Sequence, residues 1–210
     1  MNRKIAATVL VFVLAVCTVT ATRYFFAPSG KLSADKRSVL RSKGDPGARL
    51  WVVECIDYQC QACAAASSLL EQTLKAHPNE IYLQVRFHPL MKHSYALKAA
   101  IYAECAARKG KFWAFHKILF DNQDIWSEAS ESEVDILFED YARRVGIPAH
   151  VTKACVDNPA IKETVLAEVA SQKEAGVRIT PSFFVNGDLV TGFFEMKDRL
   201  DREFGRGEER

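Results

Sequence analysis

The sequence lacks an excess of one charge outside its amino terminus. Its 210 residues carry 28 Lys and Arg against 26 Asp and Glu, a formal charge of +2. Arg3 and Lys4 account for that difference, and the first 21 residues contain no acid. A neutral remainder offers no bulk electrostatic attraction to nucleic acid or to an anionic membrane surface. We therefore predict that nucleic acid is not a partner.

The sequence also lacks a second metal-binding motif and any internal repeat. It has one CxxC, formed by Cys60 and Cys63, and neither another CxxC nor an HxxxH. A zinc site of the finger type needs a second ligand pair at a suitable spacing. We therefore predict no metal site. The spacing of the two cysteines by itself is compatible with either a redox pair or a structural disulfide. A hydrophobic fraction of 49% and a charged fraction of 26% are typical of one globular domain.

The amino terminus predicts export. The basic start, MNRK, precedes an uncharged and mostly apolar run from Ile5 to Thr22. The small residues up to Ala21 suit a cleavage site, yet a helix of this length, roughly 27 Å, would also just cross a bilayer. Cys17 invites a lipoprotein interpretation, although the residue before it is bulky. We interpret residues 1–26 as a signal peptide or a signal anchor, and the polar residues 27–44 as a linker.

Export determines the compartment. Both interpretations of the amino terminus place the domain in the periplasm or at the extracytoplasmic face of the inner membrane. Disulfides form and persist in such compartments.

A buried strand that leads into a helix is predicted around the CxxC. The stretch from Leu50 to Ile56 is short and almost continuously apolar, and no Gly or Pro follows between Ala62 and His77. Cys60 should therefore lie where the helix begins. Unpaired N–H groups and the helix dipole favour a thiolate there. Cys63, one turn later, can close a small disulfide with it, so in this context the motif indicates a redox pair.

The rest of the chain predicts an α/β domain with a long helical segment. Residues 81–87 alternate as a strand does, so strand, helix and strand form a βαβ unit with parallel neighbours. From about residue 92 to residue 176, the apolar residues recur at helical spacing. A capping-box signature lies at 130–133 and a helix start at 158–159. The end returns to a hairpin turning at Asn186-Gly187, with strands at 182–185 and 189–194. A last amphipathic helix reaches residue 204, before a flexible tail at 205–210.

Three motifs around this helical segment carry a family resemblance. ECIDYQCQAC, VRFHPL and ITPSFFVNGDLVTG together resemble the DsbA-like thiol:disulfide oxidoreductases, and the resemblance covers about residues 44–204, with the domain itself predicted at 45–204. The resemblance implies an α/β thioredoxin fold with an inserted helical subdomain. Within it, Cys60 matches the nucleophile and Cys63 the buried resolving cysteine. Thr180-Pro181 matches the loop whose cis-proline faces the redox pair, with the Thr180 backbone binding the extended substrate chain.

Two further features near the CxxC bear on its chemistry. Glu54 lies inside the apolar strand, where a carboxylate is costly without a partner or a proton. The resemblance matches Glu54 to a buried acid that relays protons to Cys63; the alternative is that it faces a solvated edge. Between the cysteines, Gln61-Ala62 replaces the Pro-His of the best-known oxidase, which removes one source of thiolate stabilisation. We place Gln61 and Ala62 with Thr180 among the substrate contacts.

The remaining cysteines are predicted to be structural. Some relatives carry a second, non-catalytic bridge in the helical subdomain, which implies a Cys105–Cys155 disulfide here; the alternative is two separate buried thiols. Cys55 is interpreted as an inert buried residue. The histidines, among them His88, His93 and His116, show no metal-ligand spacing and are interpreted as surface or packing residues.

The predicted function is an exported thiol:disulfide oxidoreductase that introduces disulfides into unfolded or reduced exported proteins. Its only redox group would be the Cys60–Cys63 disulfide, without a further cofactor. The resemblance implies a membrane redox partner that reoxidises the pair. A monomer is expected, because residues 27–49 are too few for the dimerisation domain that related isomerases need. The alternatives are a reductase or isomerase of the same fold, and a non-catalytic assembly factor.

Overall fold

The structure, a computed structural model, describes residues 36–205, so the predictions for residues 1–26, 27–35 and 206–210 lie outside the described residues. Its centre is a five-stranded mixed sheet in the order β1-β3-β2-β4-β5. The strands are β1 (Ser42–Gly44), β2 (Leu50–Ile56), β3 (Ile81–Phe87), β4 (Ser182–Val185) and β5 (Asp188–Thr191). Strands β2 and β3 pair in parallel and the other neighbours are antiparallel, which confirms the predicted βαβ unit.

The helices fall into two groups. Two of them flank the sheet: α1 (Gln61–Ala76) and α8 (Phe193–Phe204). The others form the helical insert, from α2 to α7. They are α2 (Ala96–Arg108), α3 (Phe112–Asp121), α4 (Gln123–Ser127), α5 (Glu131–Arg144), α6 (Ala149–Val156) and α7 (Pro159–Glu174). The predicted fold class, a thioredoxin fold with an inserted helical subdomain, is confirmed. Within residues 36–205, no helix combines the length and the apolar character needed to cross a membrane.

Strand β2 is buried along one face and, near its carboxyl end, on the other face as well, whereas Trp51 near its start is 38% exposed. Leu50 and Val52 pack with Leu70 of α1 and Leu200 of α8 on one face. Cys55 packs on the opposite face, because side chains alternate along a strand. This packing fixes β2 within the sheet, and the turn that leads to α1 follows at its carboxyl end.

The helical insert shares its core with the carboxyl ends of β2 and β3. Ile56 and Phe87 belong to the same apolar cluster as the buried aromatic residues Phe115, Trp126 and Phe138 of the insert. A disulfide joins Cys105 of α2 to Cys155 of α6, the pairing that the family resemblance implies. Closing a loop with a sequence separation of 50 contributes roughly 4 kcal/mol of stability in the chain-entropy model.

Helix starts in the insert follow the sequence signals. The backbone N–H of Ser130 donates to the Glu133 carboxylate at 2.8 Å, which confirms the capping box. Asn158 caps α7 by accepting from the backbone N–H of Ala160 at 3.0 Å.

The segment before residue 45 differs from the predicted linker. Lys36–Arg41 forms a 3-10 helix, and β1 pairs with β3 at the edge of the sheet. Arg41 is buried and donates to both carboxylate oxygens of Glu168, at 3.0 and 3.2 Å. The Arg41–Glu168 ion pair joins residues that are 127 positions apart in the sequence. The polar sequence of the segment therefore could not predict its contact with α7.

The final hairpin turns where the sequence predicts. Asn186 and Gly187 have φ of 51° and 96°, which matches a two-residue turn of the primed type. Strand β5 ends at Thr191, however, rather than at residue 194. Gly192 has φ of 87°, so the chain leaves the strand there and Phe193 opens α8.

Candidate redox site

The nucleophile predicted from the sequence lies at the amino end of α1. Cys60 is the N-cap residue, with extended dihedral angles of −89° and 114°. Its carbonyl accepts from the backbone N–H groups of Cys63 and Ala64 at 3.0 and 3.2 Å. Cys60 is half-buried, whereas Cys63 is fully buried, and both are free thiols in the structure. One sulfur is therefore accessible to another protein and the other is not.

The loop before β4 completes the site. The Thr180–Pro181 peptide bond is cis, and the Cys60 Sγ lies 3.4 Å from the Thr180 carbonyl oxygen. The Ser182 hydroxyl donates to the carbonyl of Ile179 at 2.7 Å, a bond that stabilises the conformation of this loop. The structure thus brings Cys60, Cys63, Thr180 and Pro181 together across 120 residues of sequence.

The two thiols differ sharply in acidity. The pKa of Cys60 is lowered to about 6, first by a hydrogen bond from the Cys63 thiol and further by the backbone N–H groups of Cys63 and Ala62. Burial raises the pKa of Cys63 well above its ordinary value, and the neighbouring Cys60 raises it further. At neutral pH the dithiol therefore carries its negative charge on Cys60, the sulfur that a partner can reach.

Alkylation should report this difference in acidity. We expect the rate of iodoacetamide modification of the reduced protein to rise with pH around a midpoint of about 6, at Cys60 alone. Mass spectrometry of digests, with the Cys60→Ser protein as control, measures the rate and the site. Modification with a midpoint above pH 8, close to that of a free thiol, would contradict the assignment.

Glu54 of β2 lies in the core. It is 0% exposed, so the alternative of a solvated edge is wrong, and neither carboxyl oxygen has a hydrogen-bond partner. Burial raises the pKa of Glu54 to about 8, which keeps the group protonated at neutral pH. A charge on Glu54 would raise the pKa of Cys63, so the two groups interact.

A carboxylate that is not among the predicted site residues holds the turn between β2 and α1, residues 57–60, which we call the redox turn. Asp57 is buried and accepts from the backbone N–H groups of Gln59 and Leu90, both at 2.8 Å. His93 Nδ1 lies 2.7 Å from the same carboxylate. The Asp57 backbone N–H points to the Cys63 sulfur at 3.5 Å. An Asp directly after a buried strand is a turn signal that would have indicated this role.

The helical insert supports the same turn from the other side. The His116 ring nitrogens contact the Tyr58 hydroxyl at 3.0 Å and the Ser67 hydroxyl at 2.7 Å. Burial lowers the pKa of His116 to about 3, so the ring is neutral at physiological pH. Gln123 donates to the Tyr58 carbonyl at 2.6 Å. His116 is thus a packing residue, as predicted, and it packs directly under the redox turn.

The remaining predicted site residues lie in different places. Gln61 and Ala62 are exposed on the first turn of α1, beside Cys60. Cys55 is buried on the face of β2 away from α1, and burial raises its pKa far above the ordinary value. The Cys105–Cys155 disulfide lies within the insert, apart from the CxxC. Across residues 36–205, no three His, Cys, Asp or Glu side chains are arranged to hold a metal ion.

The dithiol lies at a helix amino terminus of a β2–α1–β3 unit and faces a cis-proline loop. This arrangement defines a thioredoxin-fold site for dithiol/disulfide chemistry. Residues 38–200 match the sequence model of a family described as Thioredoxin. This match spans most of the chain, and the chain belongs to that family.

Two relatives show where the similarity lies in sequence. The chain is 32% identical over 157 residues to a Rickettsia felis protein named as a protein-disulfide oxidoreductase, covering 73% of this chain and 55% of that protein. It is also 32% identical over 177 residues to the Na(+)/H(+) antiporter NhaA of Herminiimonas arsenicoxydans, covering 80% of this chain and 27% of that protein. The chain thus spans about half or less of the length of these relatives.

Solved structures show the same fold. A thioredoxin-like oxidoreductase from Silicibacter pomeroyi superposes with a TM-score of 0.62 at 26% identity, covering 81% of this chain and 98% of the other. The alpha-DsbA1 protein of Wolbachia pipientis superposes with a TM-score of 0.64 at 18% identity, covering 79% and 90%. The predicted resemblance to DsbA-like thioredoxin-fold oxidoreductases is therefore confirmed.

Proposed function

We propose that the chain is a thiol:disulfide oxidoreductase that introduces disulfides into reduced proteins through Cys60 and Cys63. The observation that carries this proposal is the pair of unequal thiols: an accessible Cys60 with a pKa of about 6 beside a buried Cys63 with a raised pKa. Such a pair forms a mixed disulfide at one sulfur only. The relatives named as oxidoreductases support the same chemistry.

The reaction begins from the Cys60–Cys63 disulfide. A substrate thiolate attacks Cys60 Sγ, a mixed disulfide forms, and Cys63 leaves as a thiolate that takes up a proton. A second substrate thiol loses its proton and attacks the substrate sulfur of the mixed disulfide, so Cys60 leaves as a thiolate. The substrate loses two electrons and two protons in forming its disulfide, and the enzyme becomes the dithiol.

The surroundings of the two sulfurs suit these steps. The helix amino terminus and the Cys63 thiol stabilise Cys60 as a leaving thiolate. Glu54 is the group proposed to protonate Cys63, because it holds a proton at neutral pH and interacts with that sulfur. The Thr180 backbone, beside Cys60, is proposed to bind the substrate as an added β-strand, with Gln61 and Ala62 contacting it from α1.

The acidity of Cys60 supports the oxidising direction. Because a stabilised thiolate favours the dithiol form, a lower pKa makes the couple a stronger oxidant. Thioredoxin, with a pKa of about 7, has a potential of about −270 mV, and DsbA, with a pKa of about 3.5, has about −120 mV. A pKa of about 6 for Cys60 lies between them.

The reduction potential of the Cys60–Cys63 couple tests this direction. We expect roughly −220 mV on equilibration with glutathione buffers, because the Cys60 thiolate is stabilised less than in DsbA. Structural disulfides have reduction potentials below about −300 mV. The Cys60–Cys63 couple would therefore still oxidise such substrates, because its potential is higher by about 80 mV. A potential at or below about −270 mV would instead indicate a reductase.

The setting of the reaction is part of the proposal. The basic and apolar amino terminus suggests export to the periplasm, as a secreted or anchored protein, with exported proteins as clients. Continued turnover would require a membrane redox partner that reoxidises the dithiol. We propose that the protein acts as a monomer and needs no cofactor besides its redox-active disulfide.

A further inference from the structure

A groove on the helical insert contains none of the residues to which the reaction above assigns a role. It lies between α4 and α5 and has a volume of about 550 Å³. Four apolar residues and three acids line it: Ile125, Ala129, Ile136, Leu137, Asp124, Glu128 and Glu133. We call this surface the α4–α5 groove. Ile125 and Ile136 are 60% and 67% exposed, which leaves two large apolar side chains in water on facing helices.

The charge of the α4–α5 groove has one sign. Its three ionisable lining residues are all carboxylic acids, and Glu133 is held in place by the Ser130 capping box. Lys98, a cation close to α5, pairs with Asp135 at 2.9 Å, outside the lining. An apolar floor with an acidic rim is complementary to a segment that has apolar residues on one face and Lys or Arg on the other.

The groove is joined to the redox turn by direct hydrogen bonds. The Tyr95 hydroxyl donates to the carbonyl of Ala129, in the groove lining, at 2.9 Å. The Tyr95 backbone N–H donates to the side chain of Gln59, the neighbour of Cys60, at 2.5 Å. At the start of α4, Gln123 donates to the Tyr58 carbonyl at 2.6 Å. These bonds connect the groove lining to Tyr58 and Gln59, the residues before Cys60, so one partner protein could contact both regions.

We propose that the α4–α5 groove docks a basic amphipathic segment of a protein that exchanges disulfides with Cys60. This inference rests on the proposed function and adds the chemistry of the partner. A second copy of the chain is disfavoured as occupant, because a symmetric contact would place carboxylates opposite carboxylates. An anionic membrane is disfavoured for the same electrostatic reason.

Binding of a synthetic peptide to the full-length protein tests the proposal. The probe is an amphipathic helical peptide of about 14 residues, with Leu at helical spacing and Lys elsewhere; a second peptide has Glu in place of Lys. We expect fluorescence anisotropy to show binding of the Lys peptide that weakens as salt is added, and markedly weaker binding of the Glu peptide. Replacing both isoleucines, Ile125→Ser and Ile136→Ser, should weaken binding about tenfold or more.

Matched variants distinguish docking in the groove from non-specific binding and from loss of folding. Glu128→Lys tests the acidic rim without touching the apolar floor, and should also weaken binding of the Lys peptide. The control carries Leu166→Ser and Glu163→Lys on the exposed face of α7 and should bind as the unaltered protein does. Equal binding by the groove variants and this control, or equal binding of the two peptides, would overturn the proposal.

Two further measurements identify other occupants. Sedimentation that shows self-association lost in the groove variants would replace the proposal with a homodimer contact. Groove-dependent binding to phosphatidylglycerol vesicles would replace it with a membrane contact. Exchange of Cys60 with oxidised glutathione, which is too small to need the groove, should be equal in all variants. If that exchange is absent everywhere, the proposed function fails, whatever the result for docking.

Discussion

Replacing Cys60 with serine is expected to abolish disulfide exchange, with the oxidation rate of a reduced test protein falling by at least about a thousandfold. A serine hydroxyl can neither form the mixed disulfide nor leave as a stabilised thiolate. Cys63→Ser should behave differently, because Cys60 can still attack but no thiol remains to resolve the intermediate. That variant should accumulate mixed disulfides with its partners, visible on non-reducing gels and removed by reductant.

The chain contains a suitable control for these variants. Cys55 is also buried near the carboxyl end of β2, but on the opposite face of the sheet. Cys55→Ala should therefore leave the exchange rate unchanged. If Cys60→Ser retains the activity of the unaltered protein, or if Cys63→Ser traps nothing, a thioredoxin-fold assembly factor without catalysis becomes the better interpretation.

The second large effect concerns stability, and it comes from Glu54. Its pKa is raised from 4.5 to about 8 in the folded protein, because the carboxyl is buried without a hydrogen-bond partner. The unfolded chain releases this proton above pH 4.5 while the folded protein retains it up to about pH 8. The free energy of unfolding should therefore fall as pH rises, by about 3 kcal/mol between pH 5 and 7.5. The isosteric Glu54→Gln variant should lack this component.

Urea denaturation of the oxidised protein measures the effect, because the Cys60–Cys63 disulfide removes the titration of both thiols. As pH rises, the unfolding free energy of the Glu54→Gln protein should increase relative to that of the unaltered protein. Glu163→Gln, on the exposed face of α7, should show no such change. Parallel pH profiles for the Glu54→Gln and unaltered proteins would mean that Glu54 is ionised in the folded state, and would remove it as the proton donor to Cys63.

Local patterns in the sequence were sufficient for the elements that carry the chemistry. The apolar run of β2, the uninterrupted helix formers after Ala62 and the position of Cys60 between them predict a thiol at a helix amino terminus. The Asn186-Gly187 turn and the capping box at Ser130 are equally local. These features depend on backbone conformation and periodicity over a few residues, which the sequence displays directly.

The tertiary structure decided the contacts that tune the site. A turn signal marks Asp57, but no local pattern shows that His93 shares its carboxylate or that the His116 ring contacts the Tyr58 hydroxyl. The family resemblance identified Thr180-Pro181, but only the packed sheet places the Thr180 carbonyl 3.4 Å from the Cys60 sulfur. The burial of Glu54 likewise depends on which elements cover β2. Sequence periodicity specifies which face of an element is apolar, whereas the identity of the residues that meet across that face emerges only when the elements pack.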